Sequence, residues 1–383
     1  MIKGHFPLSR FEGLRTPFYY YDLGLLDRTI DAVQNAIAPN PEYRIHYAVK
    51  ANFNPVILAR IAARGFGADC VSGGEVQAAL DAGFAPEKIV FAGVGKSDAE
   101  IRLGLDAGIG RFNVESEAEL RVISEIAAAC GKKALVSLRV NPDIGAHTHA
   151  GITTGLAENK FGINYEQLPA VLKLSLELPG IEFRGLHFHI GSQILDMADF
   201  AALCNRVNAL TEQLRDCGLP VGDLNMGGGL GINYRHPNHL PIADFDAYFG
   251  TFRQFLRTTD GQEVHFEPGR SIVAPCGSLI TRVLYVKEGT VKRFAVIDGS
   301  MTELVRPAMY HAYHRVENLS SDGPVTTYDV VGPVCESSDV FAREEPLCEC
   351  RRGDFIAIRS AGAYGESMAS RYNCHSLPEA FFG

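Results

Sequence analysis

Apolar and polar residues alternate with a period of two in short runs, and stretches of helical periodicity separate those runs. Arg44–Lys50 shows this plainly: Ile45, Tyr47 and Val49 share one face, while Arg44, His46, Ala48 and Lys50 share the other. Seven further strand candidates follow: Phe66–Ser72, Lys88–Val94, Arg111–Glu115, Ala134–Asn141, Ile181–Ile190, Val221–Met226 and Glu263–Glu267. Between them lie helical patterns over Gly74–Ala82, Asp98–Ala107, Ser116–Cys130, Tyr165–Leu178, Asp199–Cys217 and Ala243–Arg257. A strand near Phe18 and a helix over Leu23–Ile37 come first. Strands alternating with helices predict right-handed βαβ units and a parallel sheet. Eight repeats over about 240 residues match a closed (β/α)8 barrel of the TIM type. An open doubly wound sheet alternates similarly, but no nucleotide-binding glycine fingerprint follows a first strand.

The texture changes after Arg270. Short β-rich runs (Ile280–Lys287, Phe294–Asp298, Thr326–Val331, Phe355–Ile358) are punctuated by Gly, Pro, Asp and Ser. They predict an all-β sandwich or small barrel, which also takes the N-terminal strand, since a lone strand before the barrel needs a partner. The expected division is a barrel over residues 23–270 and a β-domain over 1–22 and 271–383.

Composition narrows the class. Of 383 residues, 46% are hydrophobic and 21% charged, as in ordinary globular proteins. The net charge of −9 argues against nucleic acid or an anionic membrane as partner. No apolar run approaches a bilayer span. The nine cysteines are scattered and form no Cys-x-x-Cys pair, so neither a disulfide framework nor a zinc ribbon is expected. A cytoplasmic location follows as an expectation.

The chemistry lies at the strand ends, because active sites of (β/α)8 barrels gather on the C-terminal face. On inward parity those ends deliver Lys50, Asp69, Arg139 with Asn141, His187 with His189, and Glu267. Each alone could be a satisfied core residue. Five together need a shared network or ligand. A sheltered lysine amine is expected to be partly desolvated, with a lowered pKa, and a neutral amine is the nucleophile that forms a Schiff base with an aldehyde. Strand seven leads into Gly227, Gly228 and Gly229, and strand eight into Glu267-Pro-Gly269-Arg270. Loops at those two positions often bind phosphate through backbone N–H groups. A phosphate anchor opposite a lysine describes pyridoxal 5'-phosphate, with Glu267 as the carboxylate that keeps the pyridine nitrogen protonated and His189 stacked on the ring.

The motifs Tyr47-Ala-Val-Lys-Ala-Asn52, His187-Phe-His-Ile-Gly-Ser192-Gln193, Gly227-Gly-Gly-Leu-Gly231, Glu267-Pro-Gly-Arg270, Arg306-Pro-Ala-Met-Tyr310, Cys335-Glu-Ser-Ser-Asp339 and Gly362-Ala-Tyr-Gly365 resemble those of the alanine-racemase-fold, pyridoxal-phosphate-dependent decarboxylases. His147–Gly155, Glu158–Ile163 and Met368–Asn373 resemble the branch of that family acting on meso-diaminopimelate. Two departures are slight: Phe188 where the family often has cysteine, and Val334 where it often has isoleucine.

The resemblance implies that Arg270, Arg306 and Tyr310 hold the distal carboxylate of the substrate and Glu336 its distal ammonium. Arginine suits the first task because a guanidinium pairs bidentately with a carboxylate. Cys335 is implied as the acid that returns a proton to Cα, a task a thiol can perform without carrying charge into the site. Tyr364 is implied as a phosphate contact. The family pattern further implies a homodimer in which Cys335 and Glu336 complete the neighbour's site.

Rival readings are a metal-dependent hydrolase using His187 and His189, a non-enzymatic relative, and a same-fold racemase or decarboxylase of ornithine, arginine or carboxynorspermidine. The hydrolase needs an aspartate with an open metal position where strand eight offers Glu267. The racemase needs a second base facing the lysine, and no tyrosine for that role is evident before the β-domain.

Overall fold

The computed structural model describes residues 4–142 and 160–383. His147–Gly155 and residues 158 and 159 of the second motif therefore lie outside the described residues. Two compact units emerge. One comprises Ile30–Gly231 and Asp244–Gly269, the other Met1–Thr29, Ile232–Ala243 and Arg270–Gly383. The division departs from the sequence-based one at residues 23–29, 232–243 and 270, which group with the β-rich unit.

Strands are numbered through the chain from β1 (Phe18–Tyr21). The first unit holds β2 (Tyr43–Ala48), β3 (Gly67–Cys70), β4 (Ile89–Phe91), β5 (Arg111–Val114), β6 (Ala134–Asn141), β8 (Ile181–His187), β9 (Asp223–Asn225) and β10 (Val264–Phe266). All pair in parallel, and the circle closes where β10 meets β2, with Val264 opposite Tyr43 and Phe266 opposite Ile45. A two-residue strand, β7 (Ile163–Asn164), adds to β6 outside the circle. This is the expected (β/α)8 barrel.

The helices begin where the sequence supplies caps. Ser72, Ser97, Ser116, Asp196 and Asp244 each accept a backbone N–H of the first helical turn, and Ser97 with Glu100 forms a reciprocal capping box. Each cap satisfies donors the helix itself cannot. Between helix and strand, outward-facing Phe266 is gripped by Phe249 and Phe252, ring centroids 5.0 and 4.9 Å away. Aromatic packing of that kind fixes the face of β10, and a one-residue slip would reverse it.

At the strand starts two imidazoles stack, with His46 Nε2 2.8 Å from His265 Nδ1. His46 Nδ1 lies 2.9 Å from the Lys88 carbonyl oxygen, which can only accept, so that nitrogen carries the proton. His46 Nε2 therefore accepts from His265. Arg44 pairs with Glu263 and Arg111 with Asp223 around them.

The second unit is built on one eight-stranded sheet. β11 (Gly277–Glu288), β12 (Arg293–Ile297), β14 (Val325–Val331) and β15 (Val340–Cys348) follow one another, with β16 (Phe355–Ile358) and β13 (Val316–Asn318) on the far side of β11. β1 pairs antiparallel with β11 and parallel with β17 (Glu379–Phe382), so the N-terminal strand joins this sheet as expected. Phe11, Phe18, Tyr20, Ile280 and Phe355 form its buried cluster. β15 is absent from the sequence reading because Pro346 interrupts its pattern. It pairs only with β14, and an edge strand tolerates proline.

Burial, followed by His265, pushes the His46 imidazole down to about 3. The unfolded chain binds a proton at His46 below about pH 6.5 that the folded barrel does not take up until about pH 3, so stability is lost as the pH is lowered across that window. We expect His46→Gln to be less stable at pH 7 and to lose stability less steeply between pH 6.5 and 4, by up to about 1.4 kcal/mol per pH unit. Urea unfolding midpoints across that range check it; parallel slopes would contradict it.

Candidate active site

Strand β2 ends at Ala48, and Lys50 stands in the single 3-10 turn Val49–Ala51 that follows. The turn, not the strand pleat, presents the amine. Lys50 Nζ lies 3.0 Å from Asp69 Oδ2, and Asp69 at the end of β3 is fully buried. The amine is ion-paired, and its side chain is 37% exposed. Burial and the neighbouring Glu267 push the Asp69 carboxyl up, while Lys50 pulls it back.

Glu267, one residue past β10, gathers donors from three other strands. Its Oε1 accepts from Asn113 Nδ2 at 3.3 Å and from Asn225 Nδ2 at 2.7 Å, and its Oε2 lies 3.1 Å from His187 Nε2. Burial pushes this carboxyl up, but His187 and then Lys50 outweigh it and hold it far below the usual carboxylate range. Glu267 is thus a permanent buried anion. A carboxylate has about four acceptor positions, so one on Oε2 stays open to a further donor.

The glycine loop is locked to the same turn. Glu267 N donates to Gly227 O at 2.8 Å, and a Cβ on Gly228 would stand 2.1 Å from Glu267 O. Gly227, at φ +70°, takes a left-handed conformation that only glycine adopts without strain. Gly228 N donates to His189 Nδ1 at 3.3 Å. Burial, then Arg139 and Lys50, push the His189 imidazole well below its ordinary value, so the ring is neutral. Gly269 packs against Ala48, which precedes the lysine turn, and Ala51, which ends it. Ser192 lies beyond β8, partly buried.

Arg139 is buried and held by Glu115, with Nη1 2.7 Å from Oε1. Glu115 also accepts from Gly93 N and Gly162 N, and its own N–H donates to Glu119, which pairs with buried Lys96. Asn113, Glu115 and Asn225 escape the sequence reading. Asn113 and Glu115 share the inward parity of the strand candidate Arg111–Glu115 and Asn225 that of β9, so all three could have been found that way.

In the β-rich unit, Arg306 opens the short helix Arg306–Tyr310, with Pro307 in its first turn. Arg270 and Arg306 are 6% and 5% exposed, although guanidinium groups rarely lie so deep without a purpose. Arg270 Nη1 donates to Tyr234 Oη at 2.7 Å, and its guanidinium lies 4.8 Å from the Tyr364 ring centre. The Arg306 guanidinium stands 4.8 Å from the Tyr234 ring. Tyr310 is half-buried. Cys335 and Glu336 are exposed; Glu336 Oε1 accepts from Tyr372 Oη at 2.6 Å, and Cys335 N donates to Asn373 Oδ1. Tyr234 and Tyr372 are further residues that sequence reasoning misses.

The donor set fits pyridoxal phosphate chemistry: a primary amine, a permanent carboxylate with an open acceptor position, a neutral imidazole and a packed glycine loop. A zinc site of the hydrolase type does not match, because His187 is committed to Glu267 and His189 to the glycine loop. Among the described residues, no helix is long and apolar enough to cross a membrane.

Comparison with known proteins agrees with this geometry. Residues 23–274 match the family model described as the pyridoxal-binding domain of pyridoxal-dependent decarboxylases. A diaminopimelate decarboxylase of Bacteroides thetaiotaomicron is 58% identical over 99% of this chain and 98% of its own length. The crystal structure of diaminopimelate decarboxylase from Helicobacter pylori, complexed with L-lysine, superposes with a TM-score of 0.91 at 41% identity, covering 98% of this chain and 93% of that one. The enzyme of the same name from M. jannaschii, also with L-lysine, gives a TM-score of 0.91 at 35% identity, covering 100% and 90%. The chain belongs to the pyridoxal-dependent decarboxylases, in the diaminopimelate decarboxylase family.

Proposed function

We propose that this chain decarboxylates meso-2,6-diaminopimelate to L-lysine and CO2 with pyridoxal 5'-phosphate, acting as a homodimer in the cytoplasm. The observation that carries this reading is the joint presence of Lys50 and Glu267 at the C-terminal ends of the barrel strands. One is an amine for the cofactor's aldehyde, the other a fixed anion for its pyridine nitrogen.

Lys50, Asp69, Arg139, His189, Ser192, Gly227, Gly228, Gly229, Glu267, Gly269, Arg270 and Tyr364 would hold the cofactor. When bound, that group supplies an electron sink for the bond that loses CO2. Glu267 holds a proton at the pyridine nitrogen, a task that requires it to stay ionised, and Asn113, Asn225 and His187 keep it so. His189, neutral, offers a flat face without adding positive charge.

Arg270, Arg306 and Tyr310 hold the distal carboxylate, and Glu336 takes the distal ammonium. Tyr372 orients the Glu336 carboxylate through its 2.6 Å hydrogen bond. Ornithine and arginine lack a second carboxylate, so binding either would leave the buried guanidinium groups without an anion. Cys335 returns the proton to Cα after CO2 departs. Exposure of Cys335 and Glu336 supports a composite site completed by a second copy of the chain. The cytoplasmic placement rests on nine free cysteines.

Lysine release from meso-diaminopimelate, measured against ornithine and arginine, tests the substrate. Lys50→Ala is expected to abolish turnover and lower cofactor retention, and borohydride reduction followed by peptide mapping should label Lys50. Normal activity in that variant would end the reading. Arg306→Ala should raise KM for diaminopimelate at least about tenfold, since charge-assisted pairs are the strong ones, with cofactor content unchanged. Cys335→Ala should lower kcat by about 10²–10⁴-fold. Mixed with Lys50→Ala protein, it should regain part of the activity through hybrid dimers; no recovery after verified subunit exchange would count against shared sites.

A further inference from the structure

His314 is fully buried, and its two ring nitrogens have different partners. Nδ1 lies 2.9 Å from the Arg359 carbonyl oxygen, and Nε2 lies 2.6 Å from Arg306 Nη1. A carbonyl oxygen only accepts and a guanidinium only donates. The tautomer is therefore dictated by the neighbours: Nδ1 carries the proton and Nε2 presents its lone pair to Arg306. Burial, followed by Arg306, holds the imidazole well below its ordinary value, in keeping with a neutral ring.

Tyr234 completes the arrangement. Its ring meets His314 edge-on at 5.0 Å and lies beneath the Arg306 guanidinium, while its hydroxyl accepts from Arg270. Among the described residues no carboxylate forms an ion pair with Arg306. A buried guanidinium is ordinarily held by an acid, which discharges it. Here the holder is a neutral acceptor, so the cation is fixed in direction and keeps its charge.

We propose that His314 is a positioning residue that aims the Arg306 guanidinium at the distal carboxylate of the substrate and, by being neutral, leaves the full positive charge for that carboxylate. This rests on the reading of the substrate given above. A carboxylate at position 314 would hold Arg306 equally well and would compete with the substrate for it.

The test compares His314→Gln with His314→Glu in the holoenzyme, because the two side chains share a shape and differ in charge. We expect the glutamine variant to raise KM for diaminopimelate no more than about threefold, and the glutamate variant to raise it at least about 30-fold, the scale of a charge-assisted pair. The glutamate effect should fall on KM more than on kcat, with bound cofactor and thermal unfolding like those of the glutamine variant. Equal KM values in the two variants would overturn the assignment. If the glutamate variant does not fold, His314→Phe decides, since it removes the acceptor: KM at least about tenfold above that of the glutamine variant supports the role, and equality sinks it. Turnover by the unaltered enzyme is measured first, and its absence would defeat the functional reading. Binding of pimelate, a dicarboxylate without amino groups, is measured on the same variants. A weaker affinity in the glutamate form upholds the His314 assignment whatever the reaction, and equal affinities reject it.

Discussion

A carboxylate kept ionised inside a barrel is the constraint around which this protein is arranged. Glu267 is 6% exposed, and burial alone would protonate it. Three strands other than its own supply the remedy: Asn113 follows from β5, His187 from β8 and Asn225 from β9. Each donor depends on the register of its strand, because a one-residue shift would turn the side chain outward. Closure of the barrel and ionisation of Glu267 are thus one requirement. Losing a single donor would leave a buried charge short of partners, a fault that costs several times what one surface hydrogen bond contributes.

Charge is handled in two opposite ways at the candidate site. In the barrel, opposite charges are paired: Lys50 with Asp69, Arg139 with Glu115, Lys96 with Glu119. In the β-rich unit, Arg306 is steadied by an imidazole and a tyrosine ring instead. Paired ions make a rigid, self-contained frame. Cations held by neutral groups keep their attraction for an incoming anion, which is what recognition of a carboxylate requires.

Much of this was legible in the residues. Parity along Arg44–Lys50 and Ala134–Asn141 placed His46 and Arg139 inward, where His46 meets His265 and Arg139 meets Glu115. The eightfold alternation led directly to the barrel. What escaped had physical causes. In the sequence Lys50 looks like the last residue of a strand because a period of two continues through it, but the chain tightens into a 3-10 turn after Ala48. Pro346 hid an edge strand whose hydrogen bonding it does not disturb. His314 works through long-range partners, which no local pattern announces. A histidine in a connecting segment between a helix and a short strand gives no sign of its role until the carbonyl on one side and the guanidinium on the other are both known.

The pairing of β2 with β10 also governs how the chain is made. Tyr43 faces Val264, so the strand leading to the lysine turn waits for a neighbour about 220 residues further on, roughly 11–44 s of synthesis at 5–20 residues per second. The wait of β1 is longer still, since Phe18 lies beside Glu379. Throughout translation the nascent polypeptide exposes unsatisfied backbone edges on the ribosome, a hazard that selects for chaperone capture and places the final commitment to a native molecule after the last strand emerges.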